Sequence, residues 1–259
     1  MIKPVLHYFN LADEVVSFST TRHGGVSKGK LATLNINPHR GDEPSAVAEN
    51  LQAVAAEIGV QADKVIRLHQ IHETHCLTVT DAFFRLSAAE RYEMEEGKDA
   101  VVTDCRNVCI GVHTADCVPV LFYDPVHHAI GAAHAGWRGT VQRIAQHTLR
   151  KMTELYGTDP KELKAVVGPC ISLKNFEVGQ EVYDAFSAAG FPMECIARMY
   201  GKWHIDLPLC NQLQLEELGV PAANILQSGI CTYDNASDFF SARILKEGFG
   251  TIYTGIALK

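Results

Sequence analysis

Ala129-Ile130-Gly131-Ala132-Ala133-His134-Ala135-Gly136-Trp137-Arg138-Gly139-Thr140 is the stretch on which the fold turns. Ala129 to Ala133 reads as a short, buried strand, and its small residues bring His134 up through crowded surroundings. Gly136 and Gly139 permit close backbone approach. A helix then starts at about Thr140, with Val141, Ile144, Ala145, Leu149, Met152 and Leu155 at helical spacing and Gly157 closing it. Strand, glycine turn and helix N-terminus together form a corner suited to an anion, with Arg138 adding a fixed charge. The pattern is neither a P-loop nor G-x-G-x-x-G.

Upstream, Val108–Val112 and Val118–Tyr123 read as two strands flanking His113-Thr114-Ala115-Asp116-Cys117, and Asp124-Pro125 makes a turn. Val65–Leu68 and Leu77–Val79 are short strand candidates around a histidine-rich segment. Ser45–Ile58 reads as a helix capped by Ser45 and ended by Gly59. Downstream, Val178–Ala189 is a helix. Another is capped by Asp206, with Pro208 in its first turn and Gly219 beyond its end. Ile225–Ile230 and Thr251–Leu258 are strand candidates. Strands and helices alternate without a flexible linker or repeat, which predicts an α+β (mixed α/β) chain forming one domain over residues 1–259.

The chain has 259 residues, 47% of them hydrophobic and 20% charged, an ordinary globular composition with material for a packed core. A net charge of −7 argues against general binding of nucleic acid or of an anionic membrane. The sequence shows neither a membrane span nor a secretory leader, so a cytoplasmic protein is expected. Eight cysteines without a C-x-x-C pair do not form a disulfide framework or a zinc ribbon. Most are expected to be small buried hydrophobes.

Twelve histidines leave several for chemistry. In His69-Gln70-Ile71-His72-Glu73-Thr74-His75, an extended chain points His72 away from His69 and His75. Cys117 follows a loop at a strand start and can act, as thiolate, as a soft metal ligand or a nucleophile. His72, Cys117 and His134 together make a two-His, one-Cys set. Three protein ligands with a free fourth position are the pattern of a catalytic zinc centre. Near the N-terminus, Thr21-Arg22-His23-Gly24-Gly25-Val26-Ser27 can present a cation to a ligand, or be a plain turn, and Leu34-Asn35-Ile36 follows.

These blocks resemble the YfiH family, also described as laccase-domain or polyphenol-oxidoreductase proteins, peptidoglycan-editing factor and purine nucleoside phosphorylase. The resemblance runs through Thr21–Ser27, Leu34–Ile36, Gln70–His72, Thr114–Pro119, Ala133–Thr140, Gly168-Pro169-Cys170-Ile171, Phe176–Gly179, Asp206–Pro208, Cys231-Thr232 and Phe239–Ser241, in the family's order. It implies a layered α/β/β/α domain with mixed sheets and zinc on His72, Cys117 and His134. It further implies phosphorolysis of adenosine, inosine, guanosine or methylthioadenosine, with adenosine deamination alongside. Arg22, or Arg138 at the helix start, would hold phosphate, Asn35 and Arg243 would contact substrate, and Asp116 would move protons. The family's Gly after the first histidine is Glu73 here. Its Ser-x-Arg-Arg and later Gly-Arg are Ser241-Ala242-Arg243-Ile244 and Gly250-Thr251, so one arginine is kept and two are lost.

Other classes remain in view. Copper-dependent phenol oxidation, suggested by the family's older name, needs several coppers and many histidines, commonly as H-x-H, which this chain lacks. A thiol hydrolase acting on peptidoglycan precursors would use Cys117 with His134 or His72 as base. A structural zinc module for a protein partner would need a closed, four-ligand site.

Overall fold

In the computed structural model, which describes residues 2–259, the chain runs through thirteen strands and eight α-helices. The elements are β1 (Leu6–Phe9), β2 (Val15–Thr20), α1 (Pro44–Glu57), β3 (Cys76–Thr78), α2 (Ala88–Glu95), β4 (Ala100–Thr103), β5 (Cys109–Thr114), β6 (Val118–Asp124) and β7 (Ala129–Ala135). They continue with α3 (Trp137–Val141), α4 (Ile144–Tyr156), β8 (Lys164–Val167), β9 (Glu177–Val178), α5 (Gln180–Ala188), α6 (Met193–Ile196), β10 (Ala197–Met199) and β11 (Trp203–Ile205). The last are α7 (Leu207–Glu217), β12 (Ile225–Gln227), α8 (Ala242–Leu245) and β13 (Ile252–Leu258).

Two sheets carry the molecule. One is antiparallel, in the order β1-β2-β13-β5. The other is mixed, in the order β12-β8-β6-β7-β4-β3, with its outer pairs β12–β8 and β4–β3 parallel and its inner pairs antiparallel. Alternation along β6 fixes how they stack. Leu121 and Tyr123 point into a core shared with Ile110, Val112 and Ile256 of the antiparallel sheet. Val120 and Phe122 point the other way, onto Ile144, Leu149 and Met152 of α4. On the far face of the antiparallel sheet, Phe18 and Tyr253 pack against Leu51 and Val54 of α1. The result is the α/β/β/α layering the family resemblance implied, with every residue of β5, β6 and β7 buried. No helix among the described residues is long and apolar enough to cross a membrane.

Several local expectations are corrected. Val65–Leu68 is not a strand; only Val65 makes an isolated bridge, to Cys109. The helix expected from Thr140 is two helices, broken at Arg143, whose φ of 64° leaves the helical region. The helix expected from Val178 begins at Gln180, because Val178 pairs with Trp203 in a small sheet. Ile225–Ile230 shortens to a three-residue strand. The segment from His69 to His75 is a loop rather than extended chain, and His72 sits in it with φ of 66°.

Candidate metal centre

Three separate elements deliver the site. His134 is the sixth residue of β7, Cys117 immediately precedes β6, and His72 stands on the loop before β3. Antiparallel pairing of β6 with β7 sets Val118 opposite Ala135 and Pro119 opposite His134, so Cys117 and His134 are brought to one end of the mixed sheet. Gln70 pins the His72 loop to β5: its side-chain amide donates to the His113 carbonyl (2.8 Å) and its carbonyl accepts the His113 N–H (2.7 Å).

One donor atom each from His72, Cys117 and His134 lies within 4.8 Å of the others. Cys117 Sγ is 4.0 Å from His72 Nε2, and the two imidazole rings sit 4.7 Å apart at 75°. Donors around a tetrahedral zinc are roughly 3.5 Å apart, given bonds of about 2.0–2.3 Å, so small side-chain rotations close the set on an ion. Gly136 makes the room. A Cβ there would come within 3.0 Å of both Cys117 Sγ and His72 Cδ2 and within 3.8 Å of His134 Nε2. Gly136 thus keeps the space between the three donors open. Among the described residues no fourth His, Cys, Asp or Glu joins the cluster.

Asp99 organises the centre, and sequence reasoning missed it. Its fully buried carboxylate accepts His134 Nδ1–H at 2.7 Å, which leaves Nε2 free to face an ion. The same carboxylate accepts the backbone N–H groups of Ile71 (3.1 Å), His72 (2.9 Å) and Glu73 (3.0 Å). One side chain therefore orients one ligand and shapes the loop that carries another. Burial works against the charge on Asp99, but the hydrogen bonds from His134 and the loop N–H groups outweigh it and hold the carboxyl below its usual range.

Cys117 and His134 shift each other's protonation. Burial would push the Cys117 thiol up, yet His134 and then His72 bring it down to about 6. Burial would push His134 down, yet the Cys117 thiolate and Asp99 raise it to about 9. At neutral pH the pair is thiolate and imidazolium, a ligand set one proton away from binding a metal.

The centre opens into a cleft of about 250 Å³. His72, Cys117 and His134 line it with Arg40, His39, Gln70, His113 and Thr251, none of which beyond His72, Cys117 and His134 stood among the expected site residues. A signal for His113 was present in the sequence, four residues before Cys117. Arg40 had only an Asn-Pro turn before it.

The remaining expected residues lie elsewhere in the network. Asp116, with φ of 82°, is nine-tenths buried, and its carboxylate accepts Thr232 Oγ1 (2.7 Å), Ser241 Oγ (3.0 Å) and the Arg243 N–H (2.7 Å). Arg22 donates to the carbonyls of Ala32 (3.1 Å) and Ala236 (3.0 Å) and lies over Phe240. Asn35 is fully buried and bonds Asp42, Asn37 and Thr251. Arg138 is exposed over Trp137, and Arg243 is exposed with one donor on the Glu177 carbonyl.

Residues 16–259 match the family model described as multi-copper polyphenol oxidoreductase laccase. The chain is 41% identical over 261 residues to a purine nucleoside phosphorylase of Bacteroides thetaiotaomicron, covering 99% of this chain and 97% of that protein. It is 36% identical over 257 residues to adenosine deaminase RL5 from an unknown prokaryotic organism, covering 98% of each. Among solved structures, Bacillus licheniformis hypothetical protein YfiH superposes with a TM-score of 0.91 at 31% identity, covering 99% of this chain and 97% of the other. YlmD from Geobacillus stearothermophilus superposes at 0.89 with 30% identity, covering 97% and 94%. With its layered sheets, its His-Cys-His cluster and likeness along nearly its whole length, the chain belongs to the multi-copper polyphenol oxidoreductase laccase family, of YfiH type.

Proposed function

We propose that this protein is a zinc-dependent purine nucleoside phosphorylase acting on adenosine, inosine, guanosine and methylthioadenosine, with adenosine deamination as a side activity. The observation that carries this reading is the His72-Cys117-His134 set, three protein donors facing a cleft with no fourth among the described residues. Relatives named purine nucleoside phosphorylase and adenosine deaminase support the reaction class. A thiolate and two imidazoles suit zinc or copper. Zinc is favoured because oxygen reduction by phenols needs several coppers, and this is the one such cluster among the described residues. Eight free cysteines fit a cytoplasmic enzyme, and residues 1–259 act as one catalytic unit. Its partners are a nucleoside and phosphate.

When bound, zinc supplies a Lewis acid at the cleft wall. The chain's own residues do the positioning: Asp99 holds His134 in one tautomer, and the neighbouring imidazoles and amide of the cleft orient the nucleoside. In phosphorolysis a phosphate oxygen forms a bond to C1′ and the glycosidic C1′–N9 bond breaks. Its electron pair stays on the purine, which takes up a proton. Ribose 1-phosphate and free base are the products. The test is product analysis of zinc-loaded protein with a nucleoside panel, with and without phosphate. Phosphate-dependent release of ribose 1-phosphate is expected; equal rates of base release without phosphate would refute phosphorolysis.

One observation favours a second reading. Cys117, His134 and Asp99 stand in the order nucleophile, base and orienting carboxylate, as in a thiol hydrolase. Activity retained in full after metal removal would select it.

A further inference from the structure

The cleft beside the metal centre has an unusual electrostatic lining. No carboxylate lines it, and Arg40 is its one arginine or lysine among the described residues. Arg40 ends a 3-10 turn, Pro38–Arg40, whose start is capped by the Asn37 side chain on the His39 N–H. Its Nε donates to the Phe249 carbonyl at 2.9 Å, and its guanidinium lies 4.3 Å from the centre of the Phe249 ring. These two contacts fix the plane of the group. Neither Nη atom has a protein acceptor and no acid pairs with it among the described residues, although the side chain is half-buried. A partly desolvated guanidinium left without an anion is costly, and its free edge presents two parallel N–H donors.

His113 adds a second donor by a chain of hydrogen bonds. Asn37 uses its carbonyl on His39 and its amide on Thr251 Oγ1 (3.3 Å). Thr251 Oγ1 also lies 3.3 Å from His113 Nδ1, and with the hydroxyl as donor there the hydrogen of a neutral ring sits on Nε2. That Nε2 is buried and has no partner, and His113, only 4% exposed, lines the same cleft. Burial, followed by the charges of Arg67, His39, His134 and Arg40, holds His113 well below the ordinary histidine range, so it is neutral at physiological pH.

We propose that Arg40 and His113 form the binding site for a tetrahedral phosphate dianion in the metal-centre cleft. This rests on the nucleoside reading for its source, either inorganic phosphate as co-substrate or the phosphate ester of a nucleotide, but the anion site stands on the cleft's own geometry. Arg22, Arg138 and Arg243 do not line the cleft.

The experiment is a phosphorus NMR titration of the zinc-loaded protein with inorganic phosphate and, separately, with adenosine 5′-monophosphate, for wild type, Arg40→Gln and Arg40→Lys. Metal content is checked in each. Arg40→Gln is expected to weaken binding of the anion by roughly ten- to hundredfold, the effect of losing a charge-assisted pair. Arg40→Lys should recover part of it, having the charge without the fork. A loss seen with inorganic phosphate, accompanied by a raised KM for phosphate and an unchanged KM for adenosine, assigns the co-substrate. A loss seen only with the nucleotide assigns the ester. If wild type binds neither, or if Arg40→Gln binds both as tightly as wild type with its metal in place, the site is refuted. Anion binding that depends on Arg40 in an enzyme that performs no phosphorolysis would refute the proposed reaction and leave the site standing.

Discussion

Replacing Asp99 by Asn changes one atom and reverses the polarity of one half of a four-donor cage. Oδ1 accepts from His72 and His134, and Oδ2 from Ile71 and Glu73, so an amide nitrogen at either place meets two N–H groups. Asp99→Asn is expected to lower zinc affinity roughly 10- to 100-fold and stability by about 1–3 kcal/mol. Chelator competition and thermal denaturation read the two effects; unchanged zinc affinity would remove Asp99 from its orienting role. Proton bookkeeping at the ligands gives a second expectation. Between about 6 and about 9, free Cys117 is a thiolate while free His134 holds a proton that an ion must displace. Zinc affinity should therefore rise about tenfold per pH unit across that window and more steeply below it, where the thiol must also ionise. A flat profile from pH 6 to 9 by competition titration would show that no proton is released. The three candidate ligands that the structure brings together were legible in the sequence because their residue types and flanking small residues are themselves chemical signals. Asp99 was not, since Gly97-Lys98-Asp99 has no ligand spacing and its role exists only once β4 pairs with β7. His72 was singled out on an extended reading; a left-handed residue in a loop places it instead.

Among the elements, β5, β6 and β7 were readable because their runs are long and apolar, and α1 and α7 because their ends carry Gly59 and a capping Asp206. Interior strands such as β4 and β8 are four residues long and fully or nearly buried, so they show no alternation to read. Asp116, expected as the proton carrier, is built into an element junction. It links the turn between β5 and β6 to Thr232 and to the start of α8, through three side-chain bonds and the Ile171 N–H on its carbonyl. Asp116→Asn is expected to cost about 2–4 kcal/mol and to lower Tm by roughly 5–15 °C, because a buried acceptor becomes a donor facing N–H and O–H groups. Zinc content of the folded variant should stay near wild type. A variant as stable as wild type but slow in turnover would instead make Asp116 the proton carrier of the reaction.

Across the whole molecule, the candidate metal ligands sit at one rim, outside the hydrophobic cores. The inter-sheet core is built from Leu121, Tyr123, Ile110, Val112 and Ile256, and the helix layers close on the outer faces. An ion at His72, Cys117 and His134 ties the His72 loop to the ends of β6 and β7, two neighbouring strands already joined along their length. Metal binding should therefore add stability by mass action without creating the fold. At free zinc a thousandfold above Kd the gain is about 4 kcal/mol, a Tm rise of roughly 8–16 °C for a chain of this size. The far-UV circular dichroism of the chelated protein should match that of the loaded one. Cys117→Ser should keep that spectrum and lose most of the shift, since a thiolate donor becomes a neutral hydroxyl. Loss of secondary structure on chelation would mean that the centre is part of the folding core, and that the sheets and helices close only around the ion.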